Sequence, residues 1–220
     1  MSLNLSHIDA WIFDLDDTLY PREQGVMTLV QARINAFMID AVGLPEPEAK
    51  VLQKQFLNEH GTTLAGLMAN YAIDAETFLR EVHDVPLDSL EPSPRMAGAL
   101  TRLPGRRFVL TNGARFHAAR VTERIGIAGL FDGVFAIEDM DLTPKPAPST
   151  FRRFLEHFAI DPHRAIFFED TPRNLAPAKA LGMTTVLVGD GHGHEIGDWI
   201  DARTPDLLSF LEHLSLRDAA

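Results

Sequence analysis

The chain has 220 residues, 45% of them hydrophobic and 23% charged, with no cysteine and a formal net charge of -11. Those values suit a folded chain with a sizeable core and exclude a disordered one, and the lack of cysteine excludes disulfides, thiolate catalysis and cysteine metal sites. The acidic balance argues against nucleic-acid polymers as partners, which are held through Lys and Arg contacts to phosphate, and no apolar run nears the roughly 20 residues that cross a membrane.

In chain order, the first residues carry neither a basic start nor a long apolar segment. No export signal is therefore read, and the expected location is the cytoplasm. Ala10-Trp11-Ile12-Phe13 has the unbroken apolarity of a strand buried on both faces. It ends in three carboxylates, Asp14, Asp16 and Asp17. Clustered acids at a strand end repel one another unless a cation or a shared proton compensates, so a divalent metal is expected there. An acidic turn with Asp17 or Thr18 capping a helix is the plain alternative.

Helical spacing follows. Val26, Leu29, Val30, Ile34, Phe37 and Met38 predict one helix, closed by Gly43 and Pro45. Glu46 to Glu59 predicts a second, stopped near His60-Gly61. Thr62-Thr63 can cap a third around Leu64 and Leu67, where Ala65, Gly66 and Met68 allow close packing, and Asp74 can cap a fourth. This is a helical block of roughly seventy residues, within the ordinary size of a domain.

From Pro94 the pattern alternates: a helix (Met96 to Leu103), a strand (Arg107 to Leu110), a helix ending near Gly126, and a strand at Gly133 to Ile137. A helix from Pro148 to Phe158, a strand at Ala165 to Phe168, a helix from Arg173 to Leu181, a strand at Thr184 to Val188 and a last helix from Leu207 to Leu214 complete it. The fold class expected is α/β, a Rossmann-like parallel sheet with an inserted all-helical block. The core takes residues 1–19 and 92–220, and the helical insert residues 20–91.

Three further loops carry chemistry. Thr111-Asn112-Gly113 joins a buried strand to a helix; the Thr111 hydroxyl, the N–H groups of Asn112 and Gly113 and the helix amino end can face an anion. Lys145 stands between Pro144 and Pro146, a stiffened place for a cation that meets phosphate. Glu169-Asp170 is a second acidic strand end, supplying oxygens of the kind Mg²⁺ takes, with Asn174 read as a surface polar residue in the plain alternative. A parallel sheet puts all these ends on one edge, and the set reads as metal-assisted phosphoryl transfer.

In this order the motifs resemble those of the haloacid dehalogenase superfamily: Asp14-Leu15-Asp16-Asp17-Thr18, then Thr111-Asn112-Gly113, Lys145, and Glu169-Asp170. The resemblance implies that Asp14 is the nucleophile of an aspartyl-phosphate and Asp16 the general acid and then base. It implies that Thr111, with the Asn112 and Gly113 loop, and Lys145 hold phosphoryl oxygens. Mg²⁺ would sit on Asp14, the Asp16 backbone carbonyl and Asp170, with Glu169 direct or through water. The second acid, Asp16, points to a phosphatase or phosphomutase. Asp14 must then be ionised, its pKa lowered by Mg²⁺ and Lys145, while Asp16 needs a raised one.

The helical block takes the place of the superfamily's cap. Thr18-Leu19-Tyr20-Pro21, His60 to Leu67, Val82 to Asp88 and Leu103 to Arg107 resemble the pyrimidine 5′-nucleotidase branch. This implies a small phosphorylated metabolite, a nucleotide, as partner, with Thr62 or Thr63 touching it. A sugar-phosphate phosphatase, a phosphomutase and a non-catalytic phosphate-binding protein are the alternatives. Tyr20, Met68 and Tyr71 could stack a base but read first as core. His83 and Asp84 read as a hinge or helix end, and Arg115, His117 and Arg120 as surface or structural. The glycine-rich loop holding His192 and His194 offers no preorganised metal site.

Overall fold

All four residues of Ala10–Phe13 (β1) are buried, the condition of an inner strand covered by helices on both faces. The computed structural model describes residues 3–214; the His192 side chain lies outside what is described. The remaining strands are β2 (Arg106–Leu110), β3 (Gly133–Phe135), β4 (Ala165–Glu169), β5 (Thr184–Val188) and β6 (Ala202–Thr204). Their order is β3-β2-β1-β4-β5-β6 and every pairing is parallel. Edge strand β6 was not read from the sequence, because Ala202-Arg203-Thr204 offers no apolar run and only its last residue is buried.

Alternation along each strand divides the core in two. Trp11, Phe13, Val109 and Phe168 face one layer, with α5 (Pro94–Thr101) and α9 (Leu207–His213) across from them. Phe13 and Phe168 stack at 5.1 Å between ring centroids. Ile12, Phe108 and Phe167 face the other, against α7 (Pro148–Phe158) and α8 (Pro172–Ala180). Helix α6 (Arg115–Arg124) follows β2.

Between β1 and α5 come only helices: α1 (Val26–Val42), α2 (Glu46–His60), α3 (Thr63–Asn70) and α4 (Ala75–His83), after a short 3-10 turn at Arg22–Gln24. The starts of α3 and α4 are capped as the sequence predicts, Thr62 accepting from Ala65 N–H and Asp74 from Thr77 N–H. Helices α2 and α3 meet at Gly66, where a Cβ would stand 2.2 Å from the Phe56 ring. Met68, expected at that contact, is 42% exposed instead.

The return segment is stapled to α6. Arg120 donates to the carbonyls of His83 and Val85 at 3.0 and 2.8 Å, and Arg124 to that of Leu87 at 3.3 Å. Among the described residues, no helix is long and apolar enough to cross a membrane.

Candidate active site

Parallel pairing brings the carboxyl ends of β1, β2 and β4 to one edge. Phe13 is in register with Val109 on one side and Phe168 on the other, so Asp14 emerges between Leu110 and Glu169. Its N–H donates to the Phe168 carbonyl at 2.9 Å, which continues the ladder by one residue and fixes the start of the acidic turn.

Lys145 reaches this point from the loop after β3 and is 1% exposed. Its ammonium donates to Asp14 Oδ1 at 2.6 Å, Glu169 Oε2 at 2.7 Å and the Leu110 carbonyl at 2.8 Å. A lysine buried this far is tolerable because each of its three N–H bonds finds an oxygen. Its donors are engaged by the protein, and it holds Asp14 against Glu169; a grip on phosphoryl oxygens would require one of these bonds to be exchanged. Asn112 fixes the lysine's backbone, accepting from Lys145 N–H at 2.8 Å and donating from Nδ2 to the Lys145 carbonyl at 3.0 Å.

Two carboxylates around one ammonium leave a surplus negative charge. Burial, and then the charge of Glu169, outweigh Lys145 and push Asp14 up to about 8. Burial also raises Glu169, against the pull of Lys145 and with help from the charge and hydrogen bond of Asp170. Lys145 pulls Asp14 down as the sequence leads one to expect, but alone it does not offset burial and Glu169.

Oxygens of Asp14, Glu169 and Asp170 lie within 4.8 Å of one another. Three acids this close need a shared proton or a cation, and an all-oxygen donor set suits Mg²⁺. Both Glu169 oxygens already accept, one from Lys145 and one from Thr171 N–H at 3.1 Å, so Glu169 serves chiefly to anchor the lysine. Asn174 is not on the surface. It is 6% exposed, lines the same cavity as Asp170, and its Oδ1 has no hydrogen-bond partner among the described residues, which a bound water or ion would satisfy.

Asp16 faces elsewhere. Its Oδ1 accepts from the Tyr20 hydroxyl at 2.5 Å and lies 2.8 Å from His117 Nε2. Burial would raise Asp16, but the charge and hydrogen bond of His117, then the Tyr20 hydrogen bond, hold it below the usual carboxylate range. The raised pKa expected for an acid catalyst is therefore not found, and Asp16 is shifted the other way. His117, read as surface or structural, is fully buried on Asp16. A histidine one turn into the helix after the Thr111 loop was the available signal, but its aim across to β1 follows only from the strand order.

The phosphate loop differs from expectation in two contacts. Gly113 N–H donates to Thr111 Oγ1 at 2.9 Å rather than facing outward. The first N–H of α6, on Arg115, is taken by the Glu138 carboxylate at 3.0 Å, so that helix end is already neutralised. Thr111 itself is 1% exposed and lines the cavity with Asn112 and Gly113.

That cavity, about 360 Å³, has Asp14, Asp16, Lys145 and Asp170 at its floor and α1, α3 and α4 above them. Met27, Val30, Ile34, Leu64 and Phe78 form much of its wall, together with Thr62 and Thr63. Thr62 Oγ1 is engaged as the α3 cap at 3.1 Å. Tyr71 packs on Phe56 at 6.4 Å between centroids, and neither it nor Met68 lines the cavity. His83 ends α4 with its ring 4.7 Å from that of His117; burial drives its pKa down to about 4, so the ring is uncharged near neutrality.

Against known proteins, residues 8–182 match the model of a family described as haloacid dehalogenase-like hydrolase. The chain is 30% identical over 201 residues to Phosphate metabolism protein 8 of Saccharomyces cerevisiae, covering 81% of this chain but only 60% of that protein. It is 26% identical over 214 residues to a glyceraldehyde 3-phosphate phosphatase of Methanopyrus kandleri, covering 90% of this chain and 91% of that one. The crystal structure of a HAD phosphatase from Thermococcus onnurineus superposes with a TM-score of 0.64 at 19% identity, over 94% of this chain and 98% of the other, a likeness of fold.

Proposed function

The chain belongs to the haloacid dehalogenase-like hydrolases, and from that premise we propose that it is a Mg²⁺-dependent phosphomonoester hydrolase that works through an aspartyl-phosphate on Asp14, with pyrimidine nucleoside 5′-monophosphates as substrates. The observation that carries the chemistry is Asp14 itself: a buried carboxylate lining the cavity, one oxygen pinned by Lys145, beside Glu169 and Asp170.

Asp14 and Asp170, with the Asp16 backbone carbonyl, would hold Mg²⁺, and Glu169 would act on it through water. When bound, the ion supplies the positive charge that lets a carboxylate and a phosphate dianion approach. Asp14 forms a bond to phosphorus while the leaving oxygen departs with its electron pair and takes a proton from Asp16. Water then attacks the aspartyl-phosphate, Asp16 takes its proton, and Asp14 is regenerated. Lys145 keeps the attacking carboxylate oriented throughout, and Thr111 with its loop bounds the phosphoryl group.

Charge explains how one residue does both proton transfers. The lowered pKa of Asp16, held down by His117 and Tyr20, is that of a base. A phosphate dianion arriving beside the Asp14 carboxylate adds negative charge and favours the protonated acid. Transfer to Asp14 removes one negative charge from the pair, which favours the base again.

Substrate choice rests on the cavity wall. The apolar stretch of Met27, Val30, Ile34, Leu64 and Phe78 suits the faces of a planar base, which lose no hydrogen bonds to water there, while Arg22 and Gln31 on the same wall are polar groups for a ribose. Thr62 and Thr63 are the polar groups on the α3 side for a base edge. A phosphate-release screen with Mg²⁺ tests this reading: UMP, CMP and dTMP should exceed AMP, GMP and hexose or three-carbon phosphates in kcat/KM. Preference for a sugar phosphate would keep the phosphatase and overturn the nucleotidase.

A further inference from the structure

Resting on the phosphatase reading, we propose that Tyr20 and His117 are positioning residues that clamp Oδ1 of Asp16, so that Oδ2 is the oxygen that gives a proton to the leaving group and takes one from water. Both partners meet the same atom: the Tyr20 hydroxyl at 2.5 Å and His117 Nε2 at 2.8 Å from Oδ1. The other oxygen faces the phosphate loop. A Cβ placed on Gly113 would lie 3.5 Å from Asp16 Oδ2, 3.4 Å from the His117 ring and 3.2 Å from Thr111 Oγ1. The missing side chain at Gly113 thus leaves room where Oδ2 and the Thr111 hydroxyl converge.

The clamp is built from rigid parts. Asp16 and Tyr20 share the turn after β1, closed by Leu19 N–H on the Leu15 carbonyl at 2.9 Å. His117 stands on the first turn of α6, after neighbouring strand β2. Tyr20 is 3% exposed and His117 fully buried. Burial and the charge of Asp16 keep the Tyr20 phenol protonated, hence a donor. Among the described residues, Nδ1 of His117 has no hydrogen-bond partner and the ring's hydrogen bond is to Asp16. A buried imidazole would not forgo half its hydrogen bonding for packing alone. The His83 ring lies against it on the cap side.

A carboxyl group free to rotate presents either oxygen, and in either rotamer. Fixing Oδ1 with two donors selects one geometry before substrate arrives, the condition under which proton transfer is efficient. In the first half-reaction the O–P bond to Asp14 forms, the P–O bond to the leaving group breaks, and the Oδ2 proton neutralises the departing oxygen. In the second, a water oxygen bonds to phosphorus, the bond to Asp14 breaks, and Oδ2 takes the water proton.

Dinitrophenyl phosphate separates the two halves, because its leaving group needs no proton. In Tyr20→Phe and His117→Ala, single-turnover release of dinitrophenol should stay within about threefold of wild type. Steady-state turnover should fall roughly tenfold or more, the worth of one hydrogen bond to a charged group. His117→Gln, which returns an N–H near the Nε2 position, should recover much of that loss. A packing defect would lower release and turnover together; that result, or no loss in either, overturns the clamp. Tyr20→Phe keeps the ring volume and decides the matter if His117→Ala does not fold. Wild type that releases no phosphate from any monoester would instead fail the phosphatase reading, and the clamp with it.

Discussion

Lys145→Met replaces a buried ammonium by an apolar chain of similar length. The Nζ atom stands 2.6 and 2.7 Å from two buried carboxylates and 2.8 Å from the Leu110 carbonyl. Removing one partner of a buried ion pair costs about 3–5 kcal/mol, because an uncompensated charge stays behind. Here the site has an escape, since Asp14 already sits at about 8 and can take a proton near neutrality. That changes the pH dependence. Without Lys145 the folded-state pKa values of Asp14 and Glu169 rise further above their unfolded values. An acid raised in the folded state costs nothing below its unfolded pKa, and its penalty grows as pH rises toward the folded one. The deficit relative to wild type should therefore be small near about pH 6, where both proteins hold these protons when folded, and grow as pH rises through about 8 toward about 3–5 kcal/mol near about pH 10. Urea unfolding in chelator at both values measures it. Turnover with Mg²⁺ should fall by about 10²–10³, the usual loss when a preorganised charge at the reacting centre is removed. A deficit independent of pH, or wild-type turnover, would refute the argument.

Asp14→Asn should abolish turnover yet raise the melting temperature in chelator, more at about pH 8 than at about pH 5, since it removes a carboxylate whose folded pKa is raised; equal melting at both values would contradict the burial argument. Mg²⁺ binding should displace a proton, so its apparent affinity should climb by up to about tenfold per pH unit between about pH 6 and 8 and then flatten. Calorimetry in buffers of different ionisation enthalpy reads that proton directly. Asn112→Ala removes both hydrogen bonds that hold the Lys145 backbone and should cost about 1–3 kcal/mol of stability, with a fall in kcat at nearly constant KM. A change in KM alone would place Asn112 on substrate instead.

Much of the fold was legible because apolar runs and caps carry it. β1, β4 and the four inserted helices follow from Ala10–Phe13, Ala165–Glu169, Thr62 and Asp74. Strand β6 was not, since three residues at a sheet edge need no pattern of their own. The acids, the lysine and the Thr111 loop were visible as types at strand ends. What they touch was not. Lys145 was expected to meet a ligand but spends its donors on Asp14, Glu169 and Leu110, a matter of how deeply the loop after β3 enters the sheet edge. The acid role given to Asp16 implied a raised pKa, and His117, distant in the chain, with Tyr20 in the same turn, reverses it. His117, read as surface or structural, and Asn174, a surface residue in the plain alternative, were not tied to the site because helical spacing alone does not show which side of α6 or α8 meets the sheet edge.

The central claim is a covalent phosphoryl group on Asp14. Acid-quenched turnover of dinitrophenyl phosphate, whose leaving group needs no proton, followed by peptide mass spectrometry, in wild type and in Asp16→Asn, where loss of the base slows release by about 10²–10⁴, tests it most directly. The account predicts the mass of one phosphoryl group on the peptide containing Asp14, accumulating in Asp16→Asn, absent from Asp14→Asn and absent without Mg²⁺. A phosphoryl group on another residue, or none on any peptide while phosphate is being released, would contradict it.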